Sequence, residues 1–230
     1  LYDCPAIDIV SDSAHAGSMS YIAERREEEK ERRRAEIVDA AERLYAEKGW
    51  DTVTMDQVAK SARLSRALLY VYFEDKEDLM FAIGERAMRT LAVRFEEAYA
   101  RHSRGIDRVA AIGRAYMAWA HEFPHYFDAC ARFQAHSADS EPGTNEGACA
   151  IAGDAAIGIV VRAIHSGIED GTIRKDVGDP TLLAITLWGC THGVTQIAMT
   201  KSNEMAHHGV GVPQLAQNTL DLLTRAMLAG

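Results

Sequence analysis

Two pairs of residues have a spacing that metal chemistry uses. Glu122/His125 and Glu204/His207 are both Glu-x-x-His. Helical-bundle di-iron proteins use that spacing to present a carboxylate and an imidazole from one helix face, with further glutamates completing the site. Here the first pair straddles Pro124 and the second falls in a stretch that reads as loop, so neither is expected to put both ligands on one face. A helical-bundle metalloenzyme is therefore the weakest reading. No Gly-x-Ser-x-Gly elbow, phosphate-binding loop or zinc-spaced Cys/His cluster occurs. Cys4, Cys130, Cys149 and Cys190 are far apart and form no Cys-x-x-Cys; they read as free thiols in a reducing cytoplasm. The expectation is no catalytic centre, no metal and no cofactor.

A different chemistry is offered by the stretch Arg66-Ala67-Leu68-Leu69-Tyr70-Val71-Tyr72-Phe73. As a helix starting at Arg66, it turns Leu69 and Phe73 to a core. Arg66, Ala67, Tyr70 and Val71 then lie outward, where they can touch a partner. The net charge of −9 argues against a chain that coats nucleic acid nonspecifically. It leaves room for a small reading surface, because local charge decides that contact.

The elements that position this stretch can be read on either side of it. Ile37, Ala40, Ala41, Leu44 and Tyr45 recur with helical spacing, and Lys48-Gly49 supplies a stop. Thr54 stands three residues before Gln57, a capping-box spacing, ahead of a short helix burying Met55, Val58, Ala59 and Ala62. After a break at Arg63-Leu64-Ser65, Ser65 can cap the next helix. Two short helices joined in this way form a helix-turn-helix, with small Ala59 and Ala62 at the crossing. Asp75 can open a long helix from Lys76 towards Tyr99.

Further helices are expected over about 106–123, 124–135, 148–170, 180–200 and 213–229. A loop is expected at 137–147 and a mobile segment at 202–212. No strand pattern or repeat is seen, so the fold class is all-α. The charged stretch 21–34, ending in Arg32-Arg33-Arg34, reads as a solvated helix face or an arm touching phosphates. Residues 1–18 lack helical periodicity, and Met19 reads as the natural start. Residues 1–20 are thus set apart as a disordered or vector-derived segment. No apolar run approaches the ~20 residues of a membrane span, and the first residues carry no basic secretory region, so no membrane partner is expected.

Residues 35–80 resemble the N-terminal domain of TetR/AcrR-type regulators. The resemblance rests on Ala41, Leu44, Gly49, Thr52, Thr54, Val58, Ala59, Ala62, Ser65, Leu69, Tyr70, Phe73, Lys76, Glu77 and Leu79. A weaker similarity runs from Gly167 to Gly193, where an acidic/Gly turn precedes Asp179-Pro180 and a helix carrying Trp188 and Gly189. Arg63 departs from the pattern, standing where the family usually has Gly; Leu68 and Tyr72 replace a common Thr and His.

The resemblance implies a three-helix helix-turn-helix DNA-binding domain with a charged arm over 21–83, and a helical ligand-sensing and dimerisation domain over 84–230. It assigns phosphate contacts to Thr54, Tyr70, Tyr72 and Lys76 and base contacts to Arg66, Ala67 and Leu68. Arg63 and Ser65 in the turn complete the set. Arginine reads guanine by bidentate hydrogen bonds, and small apolar groups contact the thymine methyl. Tyr70 and Tyr72 could instead pack against the core.

It further implies an effector pocket in the second domain, with candidates Tyr116, Trp119, Phe123, Phe127, Cys130, Phe133, Gln134, Trp188 and His192. The alternative for each is ordinary core. Dimerisation would use the last two long helices through Leu182, Ile185, Gly189, Gly193, Leu215, Leu222 and Met227. The expected function is a cytoplasmic homodimeric repressor on a near-palindromic double-stranded DNA operator, released by a small hydrophobic or aromatic effector. A DNA-binding dimer answering to a protein partner or a corepressor is the alternative.

Overall fold

The computed structural model describes residues 12–132 and 143–229, with backbone alone for 12–20 and Ile22. Among the described residues ten α-helices follow in order: α1 Asp12–Lys48, α2 Met55–Ser61, α3 Arg66–Tyr72, α4 Lys76–Ala100, α5 Gly105–Glu122, α6 Pro124–Arg132, α7 Asn145–Glu169, α8 Pro180–Thr200, α9 Ser202–His207 and α10 Val212–Met227. Among the described residues the sole β pairing is an isolated bridge between Ile173 and Leu228, so the fold is all-α. The chain divides into two compact units, Leu1–Lys76 and Glu77–Gly230.

The first unit forms because short-range signals agree. The stripe Ile37, Ala40, Ala41 and Tyr45 on α1 is buried, and Gly49 ends the helix at φ +75°, a conformation that costs glycine little. The Tyr45 and Trp50 rings then meet at 5.3 Å. Thr54 and Gln57 form both halves of a capping box on α2, Gln57 N donating to Thr54 Oγ1 and Thr54 N to Gln57 Oε1. Helix α1 is continuous from Asp12, so it begins inside the segment 1–20 that the sequence set apart as disordered or vector-derived. Its charged stretch is laced with exposed pairs such as Arg32–Glu29 and Arg33–Glu36, each contributing little to stability.

In the second unit α5 and α7 form the centre, with α8 and α10 packed against them. One end of the α5–α7 crossing is unusually tight. A Cβ on Gly105 would collide with the backbone of Gly167, and one on Gly167 would collide with Ile173. The first amides of α5 are capped from beyond the end of α7: Gly105 N donates to Asp170 Oδ2 at 2.7 Å and Ile106 N to Thr172 Oγ1 at 3.1 Å. The Thr172 hydroxyl foremost, with Gly105 N and Thr172 N, donates to the Asp170 carboxyl and holds it below its ordinary pKa.

Two expectations need correction. Residues 202–207 are helical, because Met205 is buried and anchors the turn before Gly209 closes it at φ +69°. Two helices, α7 and α8, are long and apolar enough by length and composition to cross a membrane. Alanine, glycine and threonine between the larger apolar residues keep their charge count low. Part of the apolar length of α7 is core: Ala156, Ile159, Val160, Ala163 and Ile164 are buried, while Ile151 is exposed. Much of α8 is exposed.

Candidate nucleic-acid interface and cavity

The turn between α2 and α3 is built residue by residue. Arg63 sits at φ +57°. Leu64 N donates to Ala59 O at 2.9 Å and Arg63 N to Lys60 O at 3.2 Å, the two hydrogen bonds of a Schellman C-cap with Arg63 in the left-handed position. Glycine would be unstrained there, and a side chain costs ~1–2 kcal/mol. Ser65 then caps α3, its Oγ accepting from Leu68 N.

On α3, Leu69 and Phe73 are fully buried, and Arg66, Ala67, Leu68, Tyr70 and Val71 are exposed. This is the division expected from the sequence. Thr54, Arg63 and Ser65 are exposed as well, while Tyr72 and Lys76 are half-buried. The first unit thus gathers all nine expected DNA-contacting residues on or beside the two short helices. Two interactions were not foreseen. Arg66 forms an ion pair with Asp56 of α2 at 3.1 Å and lies over the Tyr70 ring, 5.5 Å from its centroid. Lys76 Nζ donates to Trp50 O at 2.6 Å and sits 4.9 Å from the Trp50 ring centroid. Arg66 and Tyr70 are one helical turn apart, but the Arg66–Asp56 and Lys76–Trp50 pairings follow no helical period, so no local pattern reveals them.

The second unit holds a partly open cavity of about 380 Å³. Its wall comes from α4, α5, α6, α7, α8 and α10 and is mostly apolar, with Met88, Leu91 and Phe95 of α4 facing Ile112, Tyr116 and Trp119 of α5. Of the expected pocket residues, Tyr116, Trp119, Cys130 and Trp188 line it. Phe127 and His192 form a layer behind: His192 Nδ1 is 2.7 Å from the Tyr116 hydroxyl, and its ring stacks on Phe127 at 4.6 Å. Phe123 is not on the wall; it packs against Tyr126, ring centroids 5.5 Å apart. Phe133 and Gln134 lie outside the described residues. The α4 and α7 contributions, among them Gly84, Cys149 and Ala156, were missed because their stripes look like ordinary core in sequence.

Burial sets the charge state of the wall. It pushes the Tyr116 hydroxyl and the Cys130 thiol well above their ordinary ranges, and the Cys149 thiol up to about 12. These thiols are therefore protonated packing groups, poorly suited to redox exchange. Burial lowers the His192 pKa, leaving the imidazole neutral. Among the described residues no group of three His, Cys, Asp or Glu side chains could hold a metal. Glu122 instead accepts two contacts from Arg94 at 2.9 Å.

Of the residues expected at a dimer contact, Leu182 is 65% exposed and Leu222 58%. Ile185 and Gly189 are exposed, and Gly193 and Leu215 half-buried. Met227 does not share that surface. It is buried in its own unit and lines the cavity, because α10 turns its last apolar residue inward.

Two short helices joined by a capped left-handed turn, the second exposing Arg66, Ala67, Leu68, Tyr70 and Val71, belong to a helix-turn-helix transcriptional regulator. Residues 37–83 match the family model of bacterial regulatory proteins of the tetR family, and residues 109–225 match the tetracyclin repressor-like C-terminal domain. The chain belongs to the tetR family. It is 40% identical over 60 residues to the HTH-type transcriptional regulator HbdR of Aromatoleum sp. (strain CIB), an alignment covering 26% of each chain. The matched stretch thus spans about a quarter of that relative.

Solved structures share the fold over most of the length. A protein of unknown function from Rhodococcus sp. RHA1 is 22% identical, with TM-score 0.69, over 85% of this chain and 95% of its own. The transcriptional regulator FadR from Bacillus subtilis, in complex with stearoyl-CoA, is 18% identical with TM-score 0.64, over 84% of this chain and 98% of its own.

Proposed function

We propose that the chain is a homodimeric operator-binding repressor, released from DNA by a small apolar or aromatic effector in the second unit. The observation that carries this reading is the mostly apolar, partly open cavity, whose size falls within the 300–1,000 Å³ of typical ligand sites. FadR, of the same fold, is solved in complex with stearoyl-CoA, and the acyl chain of that molecule is consistent with an apolar portion in an effector here. Arg66, Ala67 and Leu68 read base edges; Thr54, Arg63, Ser65, Tyr70, Tyr72 and Lys76 hold the backbone. The exposed face of α8 and α10 around Leu182, Ile185, Gly189 and Leu222 joins two copies. Gly189 and Gly193 have nothing within 4 Å of a built Cβ, so a partner helix can approach closely there.

Release would run through α4. The helix that starts at Lys76, four residues past the end of α3, contributes Gly84, Met88, Leu91 and Phe95 to the cavity wall. An effector that favours a shifted α4 changes the separation of the two reading helices, which DNA geometry holds to about 34–36 Å. A ~100-fold preference for the shifted state supplies ~2.7 kcal/mol of coupling, and operator DNA must then weaken effector binding by the same factor. The test is an effector titration with and without operator duplex. Weaker binding in the presence of DNA is the expected result. Equal affinity would rule out allosteric release, and tighter binding with DNA would make this a corepressor system.

A further inference from the structure

We infer that the effector is a neutral, largely apolar molecule with a carbonyl oxygen, and that this oxygen accepts a hydrogen bond from Trp119 Nε1. The inference rests on the reading of the cavity as an effector site. Trp119 is 1% exposed and lines the cavity, yet its indole N–H meets no acceptor among the described residues. A buried donor without a partner is costly and uncommon, so the contents of the cavity are its natural source of an acceptor.

Two hydroxyls of the wall already have partners. The Tyr116 hydroxyl is bound to His192 Nδ1 at 2.7 Å, and the Thr191 hydroxyl donates to Leu187 O at 2.6 Å. Trp119 itself is fixed by ring contacts, stacking on Tyr126 at 6.3 Å and meeting Tyr116 at 6.1 Å. A fixed donor aligns an acceptor at little entropic cost.

Charge decides between acceptors. Among the described wall residues there is no Lys, Arg or His, and the carboxylate present, Asp154, is exposed. A carboxylate buried at Trp119 would have no counter-charge and would pay heavily for desolvation. A ketone, ester or amide oxygen carries no such cost. Filling about 380 Å³ at interior packing density takes roughly 280 Å³ of ligand, a mid-sized organic molecule.

The test compares 1-phenyl-1-octanone, the hydrocarbon octylbenzene and the anion 8-phenyloctanoate on the full chain and on Trp119→Phe. In the full chain the ketone should bind tighter than the carboxylate. Trp119→Phe should weaken the ketone about tenfold while leaving octylbenzene within about twofold. An equal loss for both would make Trp119 a packing residue and overturn the anchor while leaving the cavity reading intact. Tighter binding of the carboxylate would overturn neutrality. Failure of all three probes to bind the full chain would sink the cavity reading and the anchor with it.

A second measurement needs no variant of Trp119. With ¹⁵N-labelled tryptophan the chain has three indole signals, from Trp50, Trp119 and Trp188, assigned through Trp50→Phe and Trp188→Phe. The ketone should move the Trp119 N–H proton downfield, and octylbenzene should not. No difference between the two probes would overturn the proposal.

Discussion

The two units differ in how far apart in sequence their cooperating residues lie. In the first, Thr54 meets Gln57, Ser65 meets Leu68, and the Arg63 turn closes on Lys60 and Ala59. Each partner is within five residues, so the interface is assembled by local chemistry. In the second, Trp119 and Cys130 share a wall with Gly84, Cys149, Trp188 and Met227. Nothing local forces those side chains together; only the packing of six helices does. A site of the first kind can tolerate a poorly packed neighbour. One of the second kind is as sound as its whole core.

The largest effect should come from the exposed α8/α10 face. Leu222→Glu places a charge on the proposed contact and should give monomers with no detectable operator binding, as read by analytical ultracentrifugation and gel shift. A monodisperse monomer for the unmutated chain would overturn the dimer instead. Gly105→Ala should destabilise the second unit by about 3 kcal/mol, since its Cβ would meet the Gly167 backbone. Thermal melts followed by tryptophan fluorescence would show it, and a near-neutral result would mean the crossing can relax.

Arg66→Ala tests the local site. It should cost ~1–3 kcal/mol at the native operator and relax preference at one base pair per half-site. Uniform weakening on all sequences would demote Arg66 to a phosphate contact. Arg63→Gly should do the reverse to stability, raising it by about 1 kcal/mol through relief of the left-handed strain, while weakening DNA binding if the guanidinium reaches a phosphate.

The smallest effect is the pH response of His192. Burial lowers its folded pKa below the ordinary value near 6.5, so the unfolded chain takes up a proton first. Stability should therefore be full above about pH 6.5 and fall as the pH drops through the folded value. If His192→Gln leaves the loss of melting temperature between pH 8 and pH 5 unchanged, the imidazole is not responsible.

The same contrast explains what could be read from the sequence. The caps, the Gly49 stop, the strained Arg63 and the outward face of α3 were legible because each depends on residues a few positions apart. Helix ends were legible wherever proline or glycine punctuates, as at Pro124 and Pro180. The short α9 was not, because Gly209 and Gly211 outweighed a single buried Met205. Four of the nine expected pocket residues, Tyr116 and Trp119 on α5, Cys130 on α6 and Trp188 on α8, line the cavity. The stripes of α4 and α7 carry no mark distinguishing cavity wall from filled core, and His192 and Phe127 stand one layer back because side-chain direction on neighbouring helices decides that. Met227 was placed on the outer surface for the same reason. The Arg66–Asp56 pair joins two helices ten residues apart, beyond any periodic rule.

The glycine contact at the start of α5 also has a mechanical meaning. With Gly105 pressed on Gly167 and the α5 amides tied to Asp170 and Thr172, the two central helices cannot slide past each other at that end. The freedom left to them is rotation about it, as in a nutcracker whose pivot is fixed and whose jaws are free. Displacement then grows with distance from the pivot. It is least at Val109 and greatest towards Trp119 on α5 and Cys149 on α7, where an occupant of the cavity has the longest lever arm.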